Sequence, residues 1–281
     1  MTTWTDLLNA HAGPAMKAVL EARKRTTVYP ELRDIYRAFD LTPFDRVRVV
    51  VLGQDCYLET AKCPICRDGW AGDLPCQRCG DTGRIPQATG LAFSVPHGVP
   101  IPPSLRNVFK ELKRSAPPCE ACQGNGNTIG WNVGDSPTVM CHDCDQTGNE
   151  WLWQTPQHGD LTAWPERGVL LLNSSLTVRA GEPGSHAKIW APVITELLRA
   201  LWATHPPKVW LVWGGHARKM MGSLTGYPLD VSTYRHNGHL ILTAPHPADR
   251  RKGIVGSNVF LECNRWLAAR CEPEIDWRVD P

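Results

Sequence analysis

Four short runs rich in β-branched residues and leucine punctuate the chain, at residues 47–52, 169–172, 209–213 and 240–242. Each is too short for a helix and is bounded by turn-forming residues, which predicts buried strands. Between them, apolar residues recur at three- and four-residue spacing over 104–114, 190–203 and 257–269, with a further such stretch over 4–23 near the N-terminus. That spacing predicts helices with one buried face. Strands that alternate with helices imply an α/β fold of three layers: a central, mainly parallel, four-stranded sheet flanked by helices.

In such sheets ligands settle beyond the carboxyl ends of the strands. Here those ends are polar, reading Gly53-Gln54-Asp55, Asn173-Ser174-Ser175, Gly214-Gly215-His216 and Ala244-Pro245-His246-Pro247. An aspartate, an asparagine and a histidine from three different strand ends can therefore meet in one crevice, which is a catalytic constellation in its own right.

Composition changes this picture in two ways. The formal net charge of +2 is too small to mark a nucleic-acid binder, so any hold on a polyanion must come from a local patch. The N-terminus lacks the basic-then-apolar design of a signal peptide, and no apolar run approaches the roughly 20 residues of a membrane span, so the expected setting is cytoplasmic. The 11 cysteines look at first like a disulfide framework. Eight of them, however, form four Cys-x-x-Cys pairs: Cys63/Cys66, Cys76/Cys79, Cys119/Cys122 and Cys141/Cys144. Two sets of four thiolates suit two closed tetrahedral sites, with structural Zn2+ expected and an iron–sulfur cluster the minor alternative. The pairs fall in two Gly- and Pro-containing segments, 60–88 and 117–149, that read as insertions into a single α/β domain spanning 1–281. Whether each insertion closes its own site or the two exchange pairs is open. Cys56, Cys263 and Cys271 read as packing residues.

The strand ends and their neighbours together resemble the family-1 uracil-DNA glycosylases. Val-Val-Val-Leu-Gly-Gln-Asp at 49–55, followed by Tyr57, is similar to that family's water-activating loop. Gly-Leu-Ala-Phe-Ser-Val at 90–95 and Ile-Pro-Pro-Ser-Leu at 101–105 resemble its uracil-stacking segment and Pro-rich DNA-contact loop. The stretch 170–181 resembles its uracil-recognition strand, and Ala-Pro-His-Pro at 244–247 the start of its catalytic-histidine loop. The order is the family's, and only the two insertions interrupt it.

The resemblance implies a repair enzyme that takes uracil out of the DNA stack and hydrolyses its N-glycosidic bond, leaving an abasic site, as a monomer without a catalytic cofactor. Asp55 would orient and activate water and offset the cationic sugar, while a neutral His246 would donate a hydrogen bond to uracil O2. Asn173 would read uracil N3 and O4, Phe93 would stack on the ring, Tyr57 would exclude a 5-methyl group, and Gln54 would complete the pocket with backbone contacts. Ser104 would hold a phosphate.

Three departures from the family pattern modify that expectation. Cys56 and Leu58 stand where the family has Pro and His on either side of the tyrosine. The loop after His246 is shorter, Ala248 replaces a phosphate-binding serine, and the apolar wedge has no counterpart, leaving Arg250, Arg251 and Lys252 to hold phosphate or fill the vacated stack. This shifts the expected substrate toward single strands. Finally, the insertions carry or adjoin Trp70, Trp131, Trp151 and Trp153 together with Lys62, Arg67, Arg78 and Arg84, a mixture that suits the insertions as wholes to extended nucleic-acid contact, while any single tryptophan reads equally as part of the small core a metal domain needs. The alternative of another class is a non-catalytic, zinc-dependent nucleic-acid-binding protein on the same fold.

Overall fold

The computed structural model describes residues 2–66, 68–72, 74–116, 127–129, 138–140, 156–250 and 253–279. Its centre is a sheet of five strands: β1 (Val49–Asp55), β2 (Val169–Ser175), β3 (Val209–Trp213), β4 (Thr233–His236) and β5 (His239–Ala244). Their spatial order is β2-β1-β3-β5-β4. The first four in that order are parallel, with Val49 opposite both Val169 and Val209, and Val209 opposite Leu240. The four expected strands are therefore present, but the sheet has a fifth that the apolar pattern did not predict. β4 pairs antiparallel with β5 at the edge, and its sequence Thr-Tyr-Arg-His is polar and part-exposed because neither face of it is fully covered.

Successive residues of a strand point to opposite faces, so an uninterrupted buried run means that both faces are covered. Val49 to Leu52, Leu170 to Leu172 and Val209 to Val212 are all fully buried. The cover comes from six longer helices: α1 (Trp4–His11), α2 (Gly13–Arg23), α3 (Pro103–Ser115), α4 (Ala187–Trp202), α5 (Gly214–Thr225) and α6 (Val259–Ala268). The expected N-terminal helix is in fact two, because Gly13-Pro14 cannot continue the first and instead starts the second. α4 buries Trp190, Val193, Ile194, Leu197, Leu198 and Leu201, the three-and-four spacing of a helix pressed on a sheet, and it packs on β2. Among the described residues no helix is long and apolar enough to cross a membrane.

After β1 the chain leaves toward β2, and after β3 toward β5, so the strand order reverses beside β1. This is where an open parallel sheet offers a crevice. Between β1 and α3 the chain turns out through residues 60–62, which pair antiparallel with 84–86, and a second small pair joins Trp70 to Pro75. Residues 127–129 pair antiparallel with 138–140. The rest of the second cysteine segment, with Cys119, Cys122, Cys141, Cys144, Trp131, Trp151 and Trp153, lies outside the described residues, as do Arg67, Arg251 and Lys252.

Candidate active site

The crevice is built from consecutive strand ends. Neighbouring strands lie about 4.8 Å apart, so β1 and β5, separated only by β3, stand about 10 Å apart, the width of a nucleoside. Asp55 ends β1, Asn173 lies in β2 opposite Gly53, and His246 follows β5.

Asn173 is 3% exposed, and among the described residues its amide has no hydrogen-bond partner. It lies against the backbone of β1: a Cβ on Gly53 would stand 2.3 Å from Asn173 Oδ1 and 3.1 Å from Ala92 Cβ. Glycine at 53 is what lets the amide occupy this position.

The Asp55 carboxylate is half-buried. Its Oδ2 accepts from the Gly184 backbone N–H at 3.0 Å and lies 3.4 Å from Gln54 Nε2. Its Oδ1 is buried without a partner. Burial raises the carboxyl above its ordinary value, partly countered by the Gly184 N–H, by nearby His216 and by Gln54. One oxygen is thus anchored and the other has no partner. Gln54 is itself exposed, and its carbonyl accepts from Ser174 Oγ at 2.9 Å.

His246 Nδ1 accepts from the Ala248 backbone N–H at 3.1 Å. That bond leaves the proton of the neutral ring on Nε2, so Nε2 is a donor. Burial lowers the pKa of this histidine, which keeps it neutral around pH 7. Gly214, at φ 86°, fits the ring closely, since a Cβ there would approach His246 Cβ to 2.9 Å.

Phe93 takes a left-handed backbone conformation, φ 66°, with its ring 5.2 Å from Trp213 and 6.1 Å from His246. The Ala92 N–H bonds Leu171 O at 3.1 Å, fixing this turn to β2. The Tyr57 hydroxyl donates to Phe93 O at 3.2 Å and lies 3.3 Å from Ser104 Oγ, which places Ser104 behind the tyrosine. Burial pushes the tyrosine up to about 12, so it is neutral. Leu58 turns away and packs beside Tyr29, Cys56 and Val178. Burial also pushes the Cys56 thiol up to about 12, leaving it a packing residue.

Four supporting groups carry no signal in the sequence. Gly184 lies in a turn far along the chain, and only the fold brings its N–H to Asp55. His216 is marked in the sequence only as part of a strand end, yet its Nε2 is 2.8 Å from Ser174 Oγ and the ring lies near Asp55. Gly214 and Trp213 showed no signal beyond a strand followed by glycines. Arg250 is exposed on the loop after His246.

Beside this crevice, Cys63, Cys66, Cys76 and Cys79 place all four sulfurs within 4.8 Å of one another, with Cys63–Cys76 at 3.9 Å and Cys66–Cys79 at 3.4 Å. Four sulfurs at about 2.3 Å from one zinc would stand about 3.8 Å apart, so the set fits a tetrahedral metal. Each half is tied by a backbone bond, Cys63 N–H to Gly83 O and Cys76 N–H to Gly69 O, both 2.8 Å. The small core around these cysteines is continuous with Val95, Val99 and the ring of Tyr57, so the cluster buttresses one wall of the crevice. Trp70 beside it is 51% exposed.

Comparison with known proteins agrees with this geometry. Residues 39–268 match the model of the uracil DNA glycosylase superfamily. The uracil-DNA glycosylase of Helicobacter hepaticus is 34% identical over 91% of this chain and 83% of its own length. That of Oleidesulfovibrio alaskensis is 36% identical over 92% and 85%. Among solved structures, mimivirus uracil-DNA glycosylase superposes with a TM-score of 0.67 over 98% of this chain and 85% of that one, at 21% identity, a likeness of fold.

Proposed function

The chain belongs to the uracil DNA glycosylase superfamily, and from that premise we propose that it hydrolyses the N-glycosidic bond of uracil in DNA by the family-1 mechanism. The observation that carries this reading is the pairing of a carboxylate oxygen without a partner, Asp55 Oδ1, with a neutral imidazole whose Nε2 must donate, His246, across one crevice.

The reaction breaks the bond between uracil N1 and the sugar C1′ and forms one from C1′ to a water oxygen. Uracil leaves with the bonding electrons, and the sugar passes through an oxocarbenium-like state. Asp55 Oδ1 orients the water, offsets the sugar's positive charge and accepts the water proton as the new bond forms. The Gly184 N–H holds the other oxygen so that the carboxylate does not rotate. His246 Nε2–H donates to uracil O2 as negative charge develops on the base. A donor aimed at developing charge is commonly worth about 10²- to 10³-fold in rate. A neutral ring serves here because its donor is already in place and no proton need be taken from solvent.

Recognition follows from the same walls. The unpartnered Asn173 amide pairs with uracil N3–H and O4, a pattern that cytosine reverses. Phe93 stacks on the flipped base, and the hydroxyl-anchored Tyr57 occupies the space of a 5-methyl group. Gln54 lines the pocket, and Arg250 with Arg251 and Lys252 meets phosphate, including that of single-stranded DNA. Ser104 supports Tyr57 and reaches the phosphate from the start of α3. Cys63, Cys66, Cys76 and Cys79 would hold one structural Zn2+ and so brace the Tyr57 wall, and by their spacing Cys119, Cys122, Cys141 and Cys144 would supply four thiolates for a second, both within insertions of one domain.

The test is incubation with oligonucleotides carrying one uracil or one thymine, single-stranded or paired, with the released base identified by mass. Free uracil and an abasic strand are expected, with no thymine. DNA binding without release of any base would replace this reading with that of a binding protein.

A further inference from the structure

Glu111 is a carboxylate with no exposed surface, set on α3 among Leu105, Val108, Phe109 and Leu112. A charge buried in such a row is costly unless every lone pair is met. Arg114 meets both oxygens, Nε to Oε2 at 3.0 Å and Nη2 to Oε1 at 2.9 Å. Neutralising the charge would need nothing more. Yet Oε2 also accepts from the Gly256 N–H at 2.5 Å, and Oε1 from the Asn258 N–H at 2.7 Å. Both donors belong to the segment that closes the loop begun at His246. Asn258 has a left-handed backbone, φ 57°, and its side chain accepts from Arg114 rather than capping α6.

The other end of the loop is held from the same helix. Asn107, one turn before Glu111, donates Nδ2–H to Pro247 O at 2.7 Å. Residues 107, 111 and 114 share one helix face. Between these two grips the loop exposes Ala248, Asp249 and Arg250.

We propose that Glu111 is a positioning residue for DNA binding: with Asn107 it grips the segment after His246 at Pro247 and again at Gly256 and Asn258, so that Arg250 beside the first grip is held in place before DNA arrives. This rests on the glycosylase reading. A loop that is ordered in advance does not have to be ordered at the expense of binding.

Glu111→Gln tests it. An amide keeps one acceptor, and whichever way it turns its NH2 group faces a donor, so at least one loop N–H is released. The expected result is a KM for uracil-containing DNA raised about tenfold, the loss of one charge-assisted bond, with kcat within about threefold. Amide hydrogen exchange at 248–250 and 253–258 should quicken in the free protein while the sheet strands are unchanged. Asn258→Gly, which keeps the backbone conformation and removes only the Arg114 contact, should move KM the same way by about threefold and serves if Glu111→Gln does not fold. Unchanged KM and unchanged loop exchange would overturn the proposal, as would exchange that quickens throughout the sheet with kcat and KM altered together. The exchange result decides the clamp even if the wild type releases no uracil, an outcome that would instead refute the glycosylase reading.

Discussion

Gly53→Ala is a one-carbon change that reaches the base-reading group through space. The new Cβ would stand 2.3 Å from Asn173 Oδ1, whereas ordinary contact begins at 3.4 Å, so the amide must retreat by about 1.1 Å. Misplacing a positioned group by about 1 Å commonly costs about 10²-fold, or about 2.7 kcal/mol of transition-state stabilisation. The strand itself should tolerate alanine, since no positive φ is required at 53. kcat/KM on a uracil oligonucleotide is therefore expected to fall about 10²-fold with little change in unfolding midpoint. The decisive step is to repeat the substitution in Asn173→Ala, which has no amide to displace. There Gly53→Ala should cost about threefold or less, because the two changes act on one interaction. A full 10²-fold loss in that background would show that the effect runs elsewhere, for instance through Ala92 Cβ at 3.1 Å, and would refute the argument.

His246→Ala should lower kcat by about 10²- to 10³-fold at pH 7 with the fold intact by circular dichroism; a loss under about tenfold would contradict the assigned donor. Because burial raises the Asp55 carboxyl, its ionised form is disfavoured in the folded state. Its contribution to stability is present below the unfolded pKa of about 3.9 and is lost as pH rises through the folded value, so Asp55→Asn should unfold at a higher temperature than wild type at pH 7 and no differently below about pH 3.5. For the same reason the acid limb of kcat should lie above the ordinary aspartate range, rising with pH as the carboxylate forms, and a limb at or below about pH 3.9 would count against it. Elemental analysis of folded protein should find about two zinc ions per chain, and stripping them with a chelator should increase cleavage of thymine-containing DNA relative to uracil as the Tyr57 wall loosens; metal-free protein of wild-type selectivity would separate the cluster from the pocket.

Much of this fold could be read directly because strands covered on both faces must be continuously apolar, as Val49 to Leu52 and Leu170 to Leu172 are. The same logic hid β4, whose Thr-Tyr-Arg-His carries no apolar run. Asp55, Asn173 and His246 stand out because polar residues that follow a buried apolar run fall at or just beyond the carboxyl end of a strand, where topology alone places the crevice. What supports them was not legible, for two reasons. The Gly53–Asn173 fit depends on strand register, which local periodicity does not contain. The Gly184 N–H on Asp55 and the Glu111 grip on Gly256 and Asn258 join residues more than 120 positions apart, and a helix glutamate is normally a solvent-facing charge.

The role of Asp55 in driving hydrolysis at C1′ can be isolated in a single-turnover comparison of wild type and Asp55→Asn on one uracil-containing oligonucleotide, with enzyme in excess. Rapid uracil release by the wild type is expected, with a rate about 10²-fold or more lower in the variant and undiminished DNA binding in both. Equal rates in the two proteins would contradict it.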